Sequence, residues 1–123
     1  MRQLFLLSSL LLLLLGCSGE TEVVSNHPNG MIAAKGYLNS DGLKNGVWTT
    51  WSSSGQKLVE AGYKNGVREG LTTEWYEGGQ KFKEVTFKNG KKELETRWNR
   101  NGEKNYEWSG RVVKGNEISR SRI

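Results

Sequence analysis

The stretch that decides the fold is GVWTTWSSSGQKLVEAGYKNG at residues 46–66, which returns as GLTTEWYEGGQKFKEVTFKNG at residues 70–90. Most landmarks recur at 24 residues: Trp51 and Trp75, Gln56 and Gln80, Asn65 and Asn89. Within each copy an aliphatic residue, a Thr and a Trp stand at alternate positions, as Val47, Thr49 and Trp51 and then as Leu71, Thr73 and Trp75. Alternation places such residues on one side of a strand, whereas the period of a helix would scatter them. The second half of each copy keeps the habit with Ala61 and Tyr63, then Val85 and Phe87. Both halves are rich in residues that fit a pleated, half-buried surface, so the unit reads as a β-hairpin.

Working outward, a third copy starts at Leu94, Glu95, Thr96, Arg97 and Trp98, passes Asn101-Gly102, and fades after Trp108. A partial copy comes first, with Asn29-Gly30 as its turn and Gly36-Tyr37 echoing Gly62-Tyr63. Periods of this length mark stacked units that cannot bury an apolar face alone, and degenerate end copies fit the role of caps. Asn-Gly occurs at Asn29, Asn45, Asn65, Asn89 and Asn101, the dipeptide whose positive φ suits a two-residue hairpin turn. Ser54-Gly55 and Gly78-Gly79 fill equivalent positions, so the expected turn glycines are Gly30, Gly46, Gly55, Gly66, Gly79, Gly90 and Gly102. A turn at about every twelfth residue predicts an all-β meander in which each strand pairs with the next. Pro28 lies ahead of the first strand, where it removes no ladder bond. Leu58 and Phe82 are out of phase with Ala61 and Val85, so either a bulge shifts the register or they cover a second face.

The Gly-x-Trp-x-x-Trp and Tyr-Lys-Asn-Gly elements of the first copy resemble the MORN-repeat family, and more closely its bacterial variant, in proteins similar to the YwqK-type antitoxins. The resemblance covers about residues 27–108 and weakens at the ends, where Gly46 and Gly70 have only Glu93 as a third counterpart. It implies hairpins stacked side by side into one elongated, twisted antiparallel sheet with an aromatic stripe. It also implies a scaffolding or protein-contact role without a catalytic residue set; phospholipid binding is attributed to some members.

The chain begins differently. Arg2 precedes an apolar run from Leu4 to Leu15 broken only by Ser8 and Ser9, too short and weakly flanked for a stable span and suited to a signal peptide over residues 1–16. The run ends in Leu14, Leu15, Gly16 and Cys17, which resembles a lipobox, although Leu15 stands where Ala, Ser or Thr is commoner. Cys17 is the sole cysteine, so an internal disulfide is excluded and lipid modification gives its position a reason. The expected partner of the acylated Cys17 is a lipid bilayer; Ser18 resembles the sorting position of lipoproteins sent to an outer membrane. Residues 17–26 read as a flexible tether, residues 27–118 as the repeat domain and residues 119–123 as a basic tail.

Removal of residues 1–16 takes one positive charge, Arg2, from a formal +5. The remaining basic residues alternate with Glu, which argues against a nucleic-acid-binding patch. Catalysis lacks its usual groups: His27 is the only histidine, and no Cys-His or Ser-His-Asp set and no His/Cys metal cluster can be assembled. Glu74, Glu77, Glu84, Glu93 and Glu95 lie close to Lys or Arg, which favours ion pairs over an acid/base pair. Gly90-Lys91 continues into Lys92-Glu93, so it is no phosphate loop. No metal and no cofactor is expected. Trp51, Trp75 and Trp98, with Tyr63 and Phe87, are the expected structural aromatics, the three indoles forming a core row. Trp48 has Thr72 and Glu95 as counterparts, so the pattern does not require it for stacking, and it is the candidate anchor for a partner. Three readings follow: an envelope-anchored protein-binding or scaffold module contacting another envelope protein, an antitoxin or immunity protein contacting a toxin, and an envelope glycan-binding module.

Overall fold

The computed structural model describes residues 19–110, so the expected signal peptide, Cys17 and the basic tail lie outside the described residues. Eight strands follow one another: β1 (Thr21–Asn26), β2 (Ile32–Leu38), β3 (Lys44–Trp51), β4 (Lys57–Lys64), β5 (Val67–Trp75), β6 (Lys81–Lys88), β7 (Lys91–Trp98) and β8 (Lys104–Ser109). They form one open sheet in chain order, every neighbour antiparallel. Each sequence repeat is one hairpin: β3–β4, β5–β6 and β7–β8. The partial copy in front is also a complete hairpin. Residues 21–26, expected to belong to the tether, form β1, aligned with β2 from Thr21 opposite Leu38 to Asn26 opposite Ile32. The Glu22 carboxylate secures this polar strand, meeting Lys35 Nζ at 2.7 Å and accepting from the Tyr37 hydroxyl at 3.3 Å.

Two kinds of turn join the strands. Asn65-Gly66 and Asn89-Gly90 are the expected tight turns, with both residues at positive φ (49° and 82°, then 48° and 77°). The other turns are longer loops at His27–Met31, Asn39–Leu43, Ser52–Gln56, Tyr76–Gln80 and Asn99–Glu103. In each, the first residue's N–H bonds the fifth carbonyl, and the fourth residue, a glycine at positive φ, donates to the first carbonyl. Asn29-Gly30 and Asn101-Gly102 belong to these loops, not to two-residue turns, and Asp41-Gly42 is a turn that the Asn-Gly pattern does not reveal. Gly46, expected in a turn, lies inside β3.

The register question at Leu58 and Phe82 resolves as a bulge. Thr50 faces Val59 and Trp51 faces Lys57, which leaves Leu58 as the extra residue; Phe82 is skipped in the same way between Glu74–Lys83 and Trp75–Lys81. A wider bulge occurs where one hairpin meets the next. Ala61 faces Thr72 and Tyr63 faces Arg68, so Gly62 alone opposes Glu69, Gly70 and Leu71. Gly70 takes φ 77° there, and Gly46 takes φ 78° in the corresponding part of β3. Between β6 and β7 only Glu93 is left over, one residue fewer than the 24-residue frame supplies, which is why Trp98 follows Trp75 by 23.

No helix or second sheet packs on this layer among the described residues, and burial is shallow. The buried apolar side chains are Ala61 and Val85, joined by Thr49, Thr72, Thr73, Thr96 and Glu95. Small and β-branched residues line the middle of the sheet because their neighbours' long side chains fold over them.

A Cβ at Gly62 would run into the Glu69 carbonyl oxygen, a backbone atom that cannot swing aside. Gly62→Ala should therefore lower stability by about 2 kcal/mol, within the range for forced overpacking. Thr86, its counterpart beside the shorter bulge, should tolerate Thr86→Ala at under about 1 kcal/mol. Urea denaturation of the two variants compares them directly.

Candidate interaction surface

Strand pairing sorts the side chains onto two faces. The first carries the row Trp48, Ala61, Thr72, Val85, Glu95 and Trp108, each paired with the next across the sheet. Tyr63 and Phe87, two residues beyond Ala61 and Val85, extend over the same face. Basic side chains alternate with these rings. Lys44 Nζ lies 4.4 Å from the Trp48 ring centre and 5.0 Å from that of Tyr63. The Arg68 guanidinium is 4.8 Å from Tyr63 and 5.8 Å from Phe87, and it donates to Thr72 Oγ1 at 2.8 Å. Lys92 lies 4.5 Å over Trp108 and donates to Glu95 at 2.6 Å, while Arg97 holds the other carboxylate oxygen of Glu95. Each stacked cation contributes on the order of 0.5–1 kcal/mol at such exposure.

Glu95 is 4 % exposed, the one carboxylate among the buried residues. Burial pushes its pKa up, but the bonds from Lys92 and Arg97 and their charges outweigh that and hold it below the ordinary Glu value. It is an ion pair, as its sequence neighbours suggested, but a covered one.

Trp48 is half-buried on this face. A Cβ at Gly36 would overlap its indole, and its Nε1 donates to the Tyr37 carbonyl at 2.9 Å. Those contacts give Trp48 work within the sheet, where the sequence offered it to a partner.

The second face carries Lys35, Thr49, Glu60, Thr73, Glu84, Thr96 and Glu107 as its central row. The cations along this row are paired: Lys35 with Glu22, Lys57 with Glu60 at 2.7 Å, Lys81 with Glu84 at 2.6 Å and Lys104 with Glu107 at 3.5 Å. On one side of this row run Trp51, Trp75 and Trp98, with Lys57 lying 5.5 Å over Trp75 and Lys81 5.1 Å over Trp98. The three indoles share one face as expected, but they are half-buried and not a hidden core, because a single layer has no opposing layer to seal them. On the other side run Val47, Leu71 and Leu94, exposed by 54 %, 51 % and 38 %.

Of the carboxylates weighed for acid/base work, Glu74 pairs with Lys83 and Glu84 with Lys81, while Glu77 and Glu93 are exposed. His27 bonds the Trp51 carbonyl through Nε2 at 2.9 Å. Among the described residues no group of His, Cys, Asp or Glu is arranged to hold a metal. Sequence reasoning passed over Lys44, Arg68 and Lys92, although they recur at 24 residues as regularly as the aromatics they cover.

The family model described as the MORN repeat variant matches residues 44–65 and 68–89. Each match spans one hairpin, β3–β4 and then β5–β6, and ends on the Asn of a tight turn. These two hairpins are thus similar to the MORN repeat variant. No curated protein matches the chain.

Because Glu95 is more acidic folded than unfolded, its stabilising contribution is complete above the ordinary Glu titration range and is lost as pH falls through its folded value. Glu95→Gln should cost about 1 kcal/mol at neutral pH, since Lys92 and Arg97 can return to water, and should make stability less sensitive to acid. Chemical denaturation from neutral pH down to about pH 3 reads both effects.

Proposed function

We propose that this protein is a membrane-anchored, non-enzymatic binding module of the cell envelope that presents the second face of its sheet to another protein. The observation that carries the reading is the stripe Val47, Leu71 and Leu94, about half exposed and bordered by paired charges. Exposed aliphatic residues in a row, with a polar surround, are the usual make-up of a protein contact. The protein- and membrane-binding character of MORN repeats supports it. Anchoring rests on the sequence at Cys17, which precedes Thr21 of β1 by four residues. That spacing would hold the edge bearing Asn65-Gly66 and Asn89-Gly90 toward the bilayer, because the β1–β2 loop lies at the other end of the strands. An immunity protein occluding a toxin is a special case of the same contact, in which the partner is the toxin.

Two variants test the two halves. Cys17→Ser should move the protein from the membrane fraction to the soluble one; finding Cys17 unmodified in intact cells would end the anchoring claim. Leu71→Asp should abolish crosslinks to envelope proteins while the protein stays folded and membrane-bound. Unchanged crosslinks would remove the second face from the reading.

A further inference from the structure

The five Asn-Gly dipeptides have chemistry that their role as turns does not use. An Asn side-chain carbon can be attacked by the backbone nitrogen of the following residue, and a glycine there hinders the attack least. A C–N bond forms, ammonia leaves, and the resulting succinimide takes up water to give aspartate or isoaspartate. No oxidant or cofactor is needed. The reaction requires the carboxamide to leave its own contacts and the turn to open locally, so the fold decides which asparagine reacts.

Three of the five are held. Asn29 Nδ2 donates to the Ser53 carbonyl at 2.7 Å, and its Oδ1 accepts from the Met31 N–H. Asn45 Nδ2 donates to Glu20 Oε1 at 2.9 Å, and its Oδ1 accepts from the Asn65 N–H. Asn65 Oδ1 accepts from Asn39 Nδ2 at 3.0 Å, and Gly66 N–H donates to the Lys44 carbonyl. These bonds tie each asparagine to a different strand or turn. Opening one means loosening two hairpins.

Asn89 and Asn101 differ, because neither carboxamide makes a hydrogen bond among the described residues. Asn89 still has its backbone locked across the sheet: its N–H donates to Glu69 Oε2 at 2.7 Å, and Gly90 N–H donates to the Arg68 carbonyl. The bonds around Asn101 are confined to its own loop. Its N–H donates to Asn99 Oδ1 and Gly102 N–H to the Asn99 carbonyl, both at 3.0 Å. The loop also belongs to the last described hairpin, whose strand β8 pairs on one side only with a described strand.

We infer that Asn101 is a site of spontaneous, non-enzymatic deamidation in the folded protein, with Asn89 second and Asn29, Asn45 and Asn65 protected. The product adds a negative charge beside Arg100 and Glu103, and isoaspartate adds one backbone carbon to a loop closed by the Asn99–Glu103 bond. The modification thus acts on the loop that joins the last described pair of strands.

The experiment is peptide mapping by mass spectrometry of the full chain incubated at mildly alkaline pH, with and without denaturant. Asn101 should convert several-fold faster than Asn65 in the folded protein, with isoaspartate among its products, and the difference should close in denaturant. Asn39→Ala should raise the rate at Asn65 by freeing its Oδ1 while leaving Asn101 unchanged. Equal rates at Asn65 and Asn101 in the folded state, or a ranking that survives denaturation, would overturn the inference.

Discussion

A sheet one layer thick has no opposing layer, so every side chain that leaves water must be covered by its neighbours on the same face. This constraint explains why Ala61 and Val85 are the buried apolar residues and why threonines occupy so much of the middle. A large aliphatic side chain there would stand clear of its neighbours. A small one can be roofed by the stems and heads of Arg68, Lys92 and Arg97 lying flat. Charge and aromatic surface then alternate, because a cation over a ring gives up little hydration while covering much apolar area.

Close approach of neighbouring atoms accounts for two glycines inside strands. Gly36 is a glycine because the Trp48 indole takes the space of its side chain, and Gly62 because the Glu69 carbonyl does. Where the bulge is shorter, Thr86 stands in the equivalent position. Backbone irregularity and side-chain size are matched, hairpin by hairpin, and the matching explains the step from a 24- to a 23-residue interval.

The hairpins, their order and the shared face of Trp51, Trp75 and Trp98 were legible in the sequence, because alternation and turn residues are local signals. The bulge at Leu58 and Phe82 was visible only as a break in phase, since two arrangements produce the same string. Thr21–Asn26 read as a tether because it is polar and lacks a repeat landmark; its strand character comes from β2 alongside it. The structural contacts of Trp48 were hidden for a related reason. Its counterparts Thr72 and Glu95 suggested a position free of structural duty, but the space that receives its ring exists only beside Gly36. The alternating cations could have been read from their period, and the concealment of Glu95 could not, because it depends on Lys92 and Arg97 reaching one carboxylate together.

Substantial contacts join each strand only to the strands beside it in the chain. Such an object behaves as a row of coupled hinges, with cooperativity passed from neighbour to neighbour and fraying favoured at its two ends. Evolution can add or delete a whole hairpin without rebuilding the rest, so the ruler-like length of the molecule is a quantity that gene duplication can set.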